Sequence, residues 1–358
     1  MISLEIGATI GILGGGQLGR MLSVAGAQLG FDISIYCPEE DCPAARVSAQ
    51  HICADYADLD TVLAWAKTCG AVTYEFENVP VATIQHLIEN GVPVRPGSAP
   101  LKHSQDRLVE KIFLRDTGIQ TGAFAEINQA SDIAAPLQRF GGKGILKTRR
   151  DGYDGKGQVR LEAGDDYEEA YHALNYQPAI LEAMVPFERE ASVILARSMA
   201  SEIACYDMPQ NQHVNGILKR SAVPSGLNRE TVNRAYEATK KLAEALDYIG
   251  VLALEFFILE DGSLIANEFA PRVHNSGHWT PEACATGQFE QHMRAVAGWP
   301  LGETRRFHDV EMLNLLGEDI FEYPAGLSGD TVLTLYGKRE AKAGRKMGHI
   351  VRRLPGSD

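Results

Sequence analysis

Apolar positions along the chain switch between two periods. Residues 8–13 (ATIGIL) form a short apolar run ending in glycines, after which Leu18, Met21, Leu22, Ala25 and Leu29 recur at helical spacing until Gly30. Residues 33–36 then read as a strand, 61–69 as a helix, 71–74 as a strand and 81–89 as a helix. That alternation predicts a parallel sheet with helices on both faces over residues 1–100, closing near Pro93, Pro96 and Pro100. A second region, 101–298, opens on a helix at 105–117 stopped by Gly118. It carries short strands at 144–148, 158–161, 179–182, 191–195 and 202–206, a helix at 229–246 and a hairpin over 251–268. A smaller third segment, 299–358, holds the basic run Lys338, Arg339, Lys342, Arg345 and Lys346. The fold class implied is α/β and α+β, with a Rossmann-like parallel-sheet domain leading a mixed one.

The hairpin carries the clearest chemistry. Asp261-Gly262 is a favoured two-residue type I′ turn, and that turn places Glu255 directly opposite Glu268. Two carboxylates facing each other inside apolar strands repel, and burial adds to the cost. A divalent cation between them removes both problems. Oxygen ligands point to magnesium, with manganese as a substitute, and Asn267 adds one more oxygen. The alternative is a different register with each carboxylate solvated. Directly after the hairpin, Arg272, His274, Asn275 and His278 gather a guanidinium, two imidazoles and an amide in a turn-rich stretch suited to stabilising phosphate and oxyanion charge. Pro271 and Gly277 argue against the helix that a zinc-binding H-x-x-x-H would need.

Two glycine segments invite different readings. Gly14-Gly15-Gly16-Gln17-Leu18-Gly19 matches G-x-G-x-x-G between a strand and a helix. A dinucleotide site needs an acidic residue about 20 positions on, yet the second strand runs into Tyr36-Cys37-Pro38, with Glu39 and Glu40 beyond the proline. NAD is therefore disfavoured. A substrate phosphate held by helix N-terminal N–H groups and a purely structural turn both stay open. The second segment, Gly152-Tyr153-Asp154-Gly155-Lys156-Gly157-Gln158, links two strands and can fold over phosphates, or can be an ordinary hairpin loop. Lys147 at the end of the preceding strand favours phosphates, because an unpaired ammonium against a sheet is costly. Glu182-Ala183-Met184-Val185 and Glu190 follow a further strand, where free backbone can pair with an adenine edge and a carboxylate with ribose hydroxyls.

Net charge is −13, opposite to the basic footprint of nucleic-acid binding. The six cysteines form no C-x-x-C pair and read as reduced packing residues. The N-terminus carries Glu5 and no basic residue before Arg20, which does not suit a signal peptide. No apolar stretch approaches the roughly 20 residues that cross a bilayer. A cytoplasmic protein without nucleic-acid or membrane partners is expected.

The order Lys147, the 152–158 loop, Glu182 to Val185, Glu190, the Glu255/Glu268 hairpin and Asn267-Glu268-Phe269-Ala270-Pro271-Arg272 resembles the ATP-grasp fold. The leading domain, with its glycine motif and Thr73-Tyr74-Glu75-Phe76-Glu77-Asn78-Val79, is similar to that of one family within it, the N5-carboxyaminoimidazole ribonucleotide synthetases. So are Ala270-Pro271-Arg272-Val273-His274-Asn275-Ser276-Gly277-His278 and the late Tyr336-Gly337-Lys338 and Gly344-Arg345-Lys346-Met347-Gly348-His349. The resemblance spans nearly the whole chain. It implies an ATP-grasp domain over 101–298 with a lid at about 120–190, and a small C-terminal domain. It implies a ligase that joins bicarbonate to 5-aminoimidazole ribonucleotide using ATP and Mg2+, acting as a homodimer. By resemblance, Arg107, Lys147, Gly152, Tyr153, Asp154, Gly155, Lys156, Gly157, Gln158, Glu182, Ala183, Met184, Val185, Glu190, His213, Asn267 and Glu268 hold ATP. Glu255 and Glu268 hold the metal. Gly16, Gln17, Leu18, Glu75, Tyr153, Asp154, Arg272, Lys338, Arg345 and Lys346 line the ribonucleotide side, and Arg272, His274 and Asn275 are catalytic. The competing readings are an ATP-grasp ligase with another acyl donor such as formate, a nucleotide-binding module without turnover, and a dehydrogenase.

Overall fold

Short runs such as TIGIL and DISIYC are buried at every residue after the first, as strands covered on both faces must be. In the computed structural model, which describes residues 3–150, 152, 157–321, 327 and 329–354, they become β1 (Thr9–Leu13) and β2 (Asp32–Cys37) of a parallel sheet. β3 (Gln50–Cys53) and β4 (Ala71–Tyr74) complete it in the order β3-β2-β1-β4. Helices α1 (Gln17–Gln28), α2 (Leu59–Ala66) and α3 (Val81–Glu89) match the expected periodicity. β3 was not expected, because QHIC has little apolar signal; pairing with β2 imposes the strand. The helix expected at 105–117 forms as α5 (Arg107–Asp116), and a short α4 (Ser98–Ser104) that was not expected precedes it. Asp106 separates them in extended conformation and accepts from the N–H groups of Leu108 and Val109 at 3.0 and 3.3 Å, an N-cap that restarts the helix.

A second, antiparallel sheet has the order β5-β8-β6-β7 and combines β5 (Phe124–Ile127), β6 (Lys143–Thr148), β7 (Gln158–Glu162) and β8 (Ala179–Ala183). With α6 (Ala134–Arg139) and α7 (Tyr167–Ala173) it builds a separate small core around Leu137, Leu146, Tyr171 and Leu181.

The third sheet has nine strands among the described residues. They are β9 (Arg189–Arg197), β10 (Ile203–Cys205), β11 (Gln210–Val214), β12 (Ile217–Val223), β13 (Gly250–Ile258), β14 (Leu264–Ala270), β15 (Val310–Leu316), β16 (Thr331–Leu335) and β17 (Lys346–Arg353). Alternate residues of β9 and β13 face opposite ways. Val193, Leu195, Leu252 and Leu254 pack under α8 (Arg229–Ala245). Ile194, Ala196, Val251 and Ala253 pack with α10 (Gln288–Ala297), which follows the short α9 (Thr280–Ala283). α10 also meets the leading domain: Thr73 Oγ1 lies 2.8 Å from His292 Nε2, and Arg95 donates to the Val296 carbonyl at 2.5 Å. The three last strands extend this same sheet, with β15 paired to β12. None of the described helices is long and apolar enough to cross a membrane.

The β13–β14 hairpin forms, but its turn differs from the two-residue one expected. Gly262 N–H donates to Leu259 O at 2.9 Å, Leu259 N–H donates to Ser263 O at 3.0 Å, and only Gly262 has positive φ (+78°). This is a three-residue loop with a left-handed glycine, supported by Asp261 accepting from Ser263 N–H at 2.8 Å. It pairs Ile258 with Leu264, a register that would place Glu255 against Asn267. A bulge between Leu254 and Phe256 then brings Leu254 opposite Phe269. Glu255 thus sits in the bulge, facing the two-residue step Asn267-Glu268 rather than Glu268 alone.

Candidate active site

A cleft of about 750 Å³ lies between the second and third sheets and the loop after β14. Glu190, Glu255, Asn267 and Glu268 line it from the third sheet, Lys147 and Gln158 from the second, Arg107 and Glu110 from α5, and Lys346 from β17. Arg272, His274 and Asn275 close it from the loop.

The acidic residues are held by cations. Arg107, at the first turn of α5, donates to Glu268 Oε2 at 2.9 Å and to Gly152 O at 2.8 Å. His274 Nε2 lies 3.2 Å from Glu255 Oε1. On the other edge of that imidazole, Nδ1 lies 2.8 Å from Ser276 Oγ and 3.4 Å from Ser276 N, which fixes the ring with Nε2 toward Glu255. Burial raises the Glu255 carboxyl, but the His274 hydrogen bond and the charges of His274, His213 and Lys346 outweigh it and hold it at about 2. Glu255 is therefore ionised at neutral pH. His213 Nδ1 is 3.0 Å from Glu190 Oε2.

Nearer the second sheet, Lys147 Nζ donates to Glu182 Oε2 at 3.1 Å and Lys111 Nζ stands 3.5 Å from the same oxygen. Burial raises Glu182, yet Lys111 and Lys147 hold it at about 2. Lys147 moves down instead, because burial weighs on it and its one carboxylate is shared with a second ammonium. The other Glu182 oxygen, Oε1, is buried with no partner. Ala183, Met184 and Val185 flank a smaller pocket walled by Ile145, Ile265 and the stacked rings of Phe187 and Phe257, 4.5 Å apart. These walls suit a planar heterocycle, and Glu182 Oε1 is an acceptor waiting for its donor.

Arg272 is pinned. Its guanidinium forks onto both oxygens of Glu77, with Nη2 to Oε1 at 2.9 Å. Burial raises the Glu77 carboxyl, and Arg272 overrides it to about 2. Asn275 and Asn314 exchange amide hydrogen bonds at 3.0 and 2.6 Å, so the Asn275 side chain braces the loop against β15.

The first glycine loop binds an anion, but that anion belongs to the protein. Glu75 accepts from the N–H groups of Gly16 at 2.6 Å and Gly19 at 2.9 Å. A Cβ at Gly14 would lie 2.3 Å from Glu75 Cγ, and one at Gly16 2.6 Å from Glu75 Oε1. The glycines thus admit a buried carboxylate from the end of β4, which corrects the expectation that they are free to cradle a phosphate. Gly16, Gln17, Leu18, Glu75, Lys338 and Arg345 are not among the residues lining the 750 Å³ cleft, and the Leu18 side chain is in the core. Lys338 donates to Lys346 O at 2.7 Å and Arg345 to Glu340 O at 3.2 Å. Tyr153, Asp154, Gly155 and Lys156 lie outside the described residues.

Sequence reasoning missed Lys111, Glu77 as the partner of Arg272, and Glu110. Lys111 had a signal, four residues after Arg107 and so on the same helical face. Glu110 is buried and accepts from Phe269 N–H at 2.7 Å, next to Glu268. Burial raises its carboxyl to about 8, with Glu268 adding repulsion, against the pull of Lys111, Phe269 N–H and Arg107. A carboxyl raised on folding contributes stability that is complete below its unfolded pKa and disappears as pH climbs through about 8. Glu110→Gln keeps an acceptor for Phe269. The wild type is expected to lose stability between about pH 5 and 8 at up to about 1.4 kcal/mol per pH unit relative to this variant. Paired melting curves across that range test it, and parallel curves would remove Glu110 as the titrating group.

Profiles of known families match consecutive parts of the chain: the ribonucleotide synthetase preATP-grasp domain at 7–105, the ATP-grasp domain at 112–289, and the phosphoribosylaminoimidazole carboxylase C-terminal domain at 311–353. The N5-carboxyaminoimidazole ribonucleotide synthase of Brucella melitensis is 52% identical over 356 residues, covering 99% of this chain and 98% of its own length. The Bacillus subtilis enzyme of the same name is 39% identical over 346 residues, 96% of this chain and 91% of its own. An ADP complex of an N5-carboxyaminoimidazole ribonucleotide synthetase superposes with a TM-score of 0.94 at 40% identity, covering 98% of this chain and 94% of that one. The Aspergillus clavatus N5-carboxyaminoimidazole synthase in complex with ADP and 5-aminoimidazole ribonucleotide gives 0.91 at 30% identity, with the same coverage. With a leading parallel-sheet domain, an ATP-grasp core and relatives matching from end to end, the chain belongs to the N5-carboxyaminoimidazole ribonucleotide synthase family of ATP-grasp ligases.

Proposed function

We infer that the chain carboxylates the amine of 5-aminoimidazole ribonucleotide with bicarbonate and ATP, giving N5-carboxyaminoimidazole ribonucleotide, ADP and phosphate, a step of purine biosynthesis. The observation that carries this reading is Lys147, which lines both the cleft of Glu255, Glu268, Arg107 and Arg272 and the adjoining smaller pocket, where it binds Glu182 and Glu182 Oε1 is left unpartnered. Bicarbonate is a poor electrophile, so ATP first converts it to carboxyphosphate, and the substrate amine then attacks the carboxyl carbon and displaces phosphate. Phosphoryl transfer asks mainly for positioning and charge. Lys147 and Arg107 face the ATP phosphates, Glu182 and the 183–185 backbone take the adenine end, and Glu190 with His213 takes the ribose. Arg272, fixed by Glu77, stabilises charge on the transferring phosphoryl group and bicarbonate. His274, aligned by Ser276, orients Glu255. Closure of the second sheet over the cleft keeps water from the carboxyphosphate.

The donor set fits a magnesium ion: two glutamates from adjacent strands line one cleft, and among the described residues each makes its side-chain contact through a single oxygen. Bound there, the metal would neutralise charge between the ATP phosphates. Lys338, Arg345 and Lys346 supply basic groups for the ribonucleotide phosphate, and the working unit is a cytoplasmic homodimer by likeness to the family. Phosphate release from ATP is expected to need both 5-aminoimidazole ribonucleotide and bicarbonate in degassed buffer. Release that formate supports and bicarbonate does not would overturn the choice of acyl donor.

A further inference from the structure

We propose that Cys37, Cys42 and His51, completed by Cys53, bind a zinc-class divalent cation beneath the first glycine loop. The cysteines look unrelated in sequence. Folding brings Cys37 Sγ to 3.2 Å from Cys42 Sγ and 3.4 Å from His51 Nε2. Among the described residues this is the one cluster of three metal-ligating side chains whose donor atoms all lie within 4.8 Å of one another. The donors are soft thiols and an imidazole, which select zinc over magnesium. With zinc–sulfur bonds of about 2.3 Å, tetrahedral ligation sets sulfurs roughly 3.7 Å apart, so the pair needs to open by only a few tenths of an ångström.

The ligands come from three places that the fold fixes independently. Cys37 ends β2, Cys42 lies in the following loop, and His51 and Cys53 are two apart on β3, hence on one face. β2 and β3 pair in register at Cys37 and Cys53, about 4.8 Å apart as neighbouring strands are. Cys53 is exposed, and its thiol makes one long contact, 3.4 Å to Pro38 O, which a side-chain rotation releases. Cys37 and Cys42 are buried, whereas His51 is half-buried, so the cation enters from the β3 side.

Both inner sulfurs press on the glycine loop, since a Cβ at Gly15 would lie 2.4 Å from Cys42 Sγ and 2.6 Å from Cys37 Sγ. Ala44 N–H donates to Gly15 O at 3.0 Å, Arg46 donates to Gly337 O at 2.5 Å, and Arg339 lies 2.5 Å from Asp41. A cation there would lock the loop that ties the glycine turn holding Glu75 to the segment carrying Lys338. The inference is independent of the reaction assigned above.

The test uses the full-length protein, stripped with chelator under reducing conditions and then given zinc or cobalt. One zinc per chain should survive gel filtration and raise the melting temperature, and cobalt should show thiolate-to-metal charge-transfer absorption. His51→Gln and Cys53→Ser, changes at the two more accessible positions, should weaken zinc binding by more than the roughly 10–100-fold that changes outside the ligand shell cost. Cys205→Ser should bind as the wild type does. Substoichiometric zinc, cobalt without the charge-transfer band, or undiminished zinc binding in either ligand variant overturns the proposal.

Discussion

Glu255→Gln and Glu268→Gln are each expected to lower turnover about 10²–10³-fold, the scale of losing one preorganised charge in a catalytic site. The double variant should lose little more, because two ligands of one ion act as a unit. Effects on the protein without nucleotide should be small and mixed. Glu268→Gln relieves repulsion on Glu110 but weakens the 2.9 Å contact from Arg107. Nucleotide linkage should separate the cases more sharply. Magnesium-ATP at a hundred times its dissociation constant stabilises a protein by about 2.7 kcal/mol, and both variants should forfeit most of that at the same concentrations. Turnover and melting with and without magnesium-ATP provide the measurement. If both single variants keep magnesium-dependent activity, the metal assignment fails.

Arg272→Ala should cost about 10²–10³-fold in turnover while ATP binding is retained, because Arg272 acts on the transferring group and not on the adenine end. The variant should also melt lower. Its loss strands the Glu77 carboxylate, although Glu77 is 35% exposed, so the penalty falls short of the roughly 3–5 kcal/mol of a fully buried broken pair. Adding Glu77→Gln should recover the melting temperature and leave turnover low. That split distinguishes a chemical role from a merely structural one. Recovery of turnover in the double variant, or loss of ATP binding in the single one, would contradict the role given to Arg272.

Local signals were legible where one element decides its own state. The strand at Ala71–Tyr74 and the helix at Val81–Glu89 lie where periodicity puts them, because their apolar faces are complete without outside help. β11 (QNQHV) and β12 (ILKRSAV) carry too little alternation and are strands because neighbours pair with them. The hairpin is instructive. Asp261-Gly262 marked a turn correctly, but Asp261 adopts no positive φ, so the loop gained a residue and the register slipped by one. An unforeseen bulge at Glu255 slipped it back. Both carboxylates therefore line one cleft by a route that turn chemistry alone does not supply. The glycine loop was legible as an anion site, whereas the identity of the anion was not, since Glu75 returns to it from another strand. The Arg272–Glu77 fork is hidden for the same reason: nothing local couples residues that far apart in the chain.

The continuity of the third sheet bears on how the chain is made. β12 (Ile217–Val223) finds its outer neighbour only in β15 (Val310–Leu316), and β15 finds its own in β17, which ends at Arg353. During synthesis at about 5–20 residues per second, β12 waits several seconds as an uncovered edge after it leaves the ribosome. Unpaired edges template association with other chains. A ribosome stalled before residue 310 would release a product whose first two sheets can close but whose catalytic sheet still has an open side. Such fragments should be substrates for chaperones and proteases rather than stable partial enzymes, so gene truncation from the 3′ end is a poor way to isolate the nucleotide-binding part of this protein.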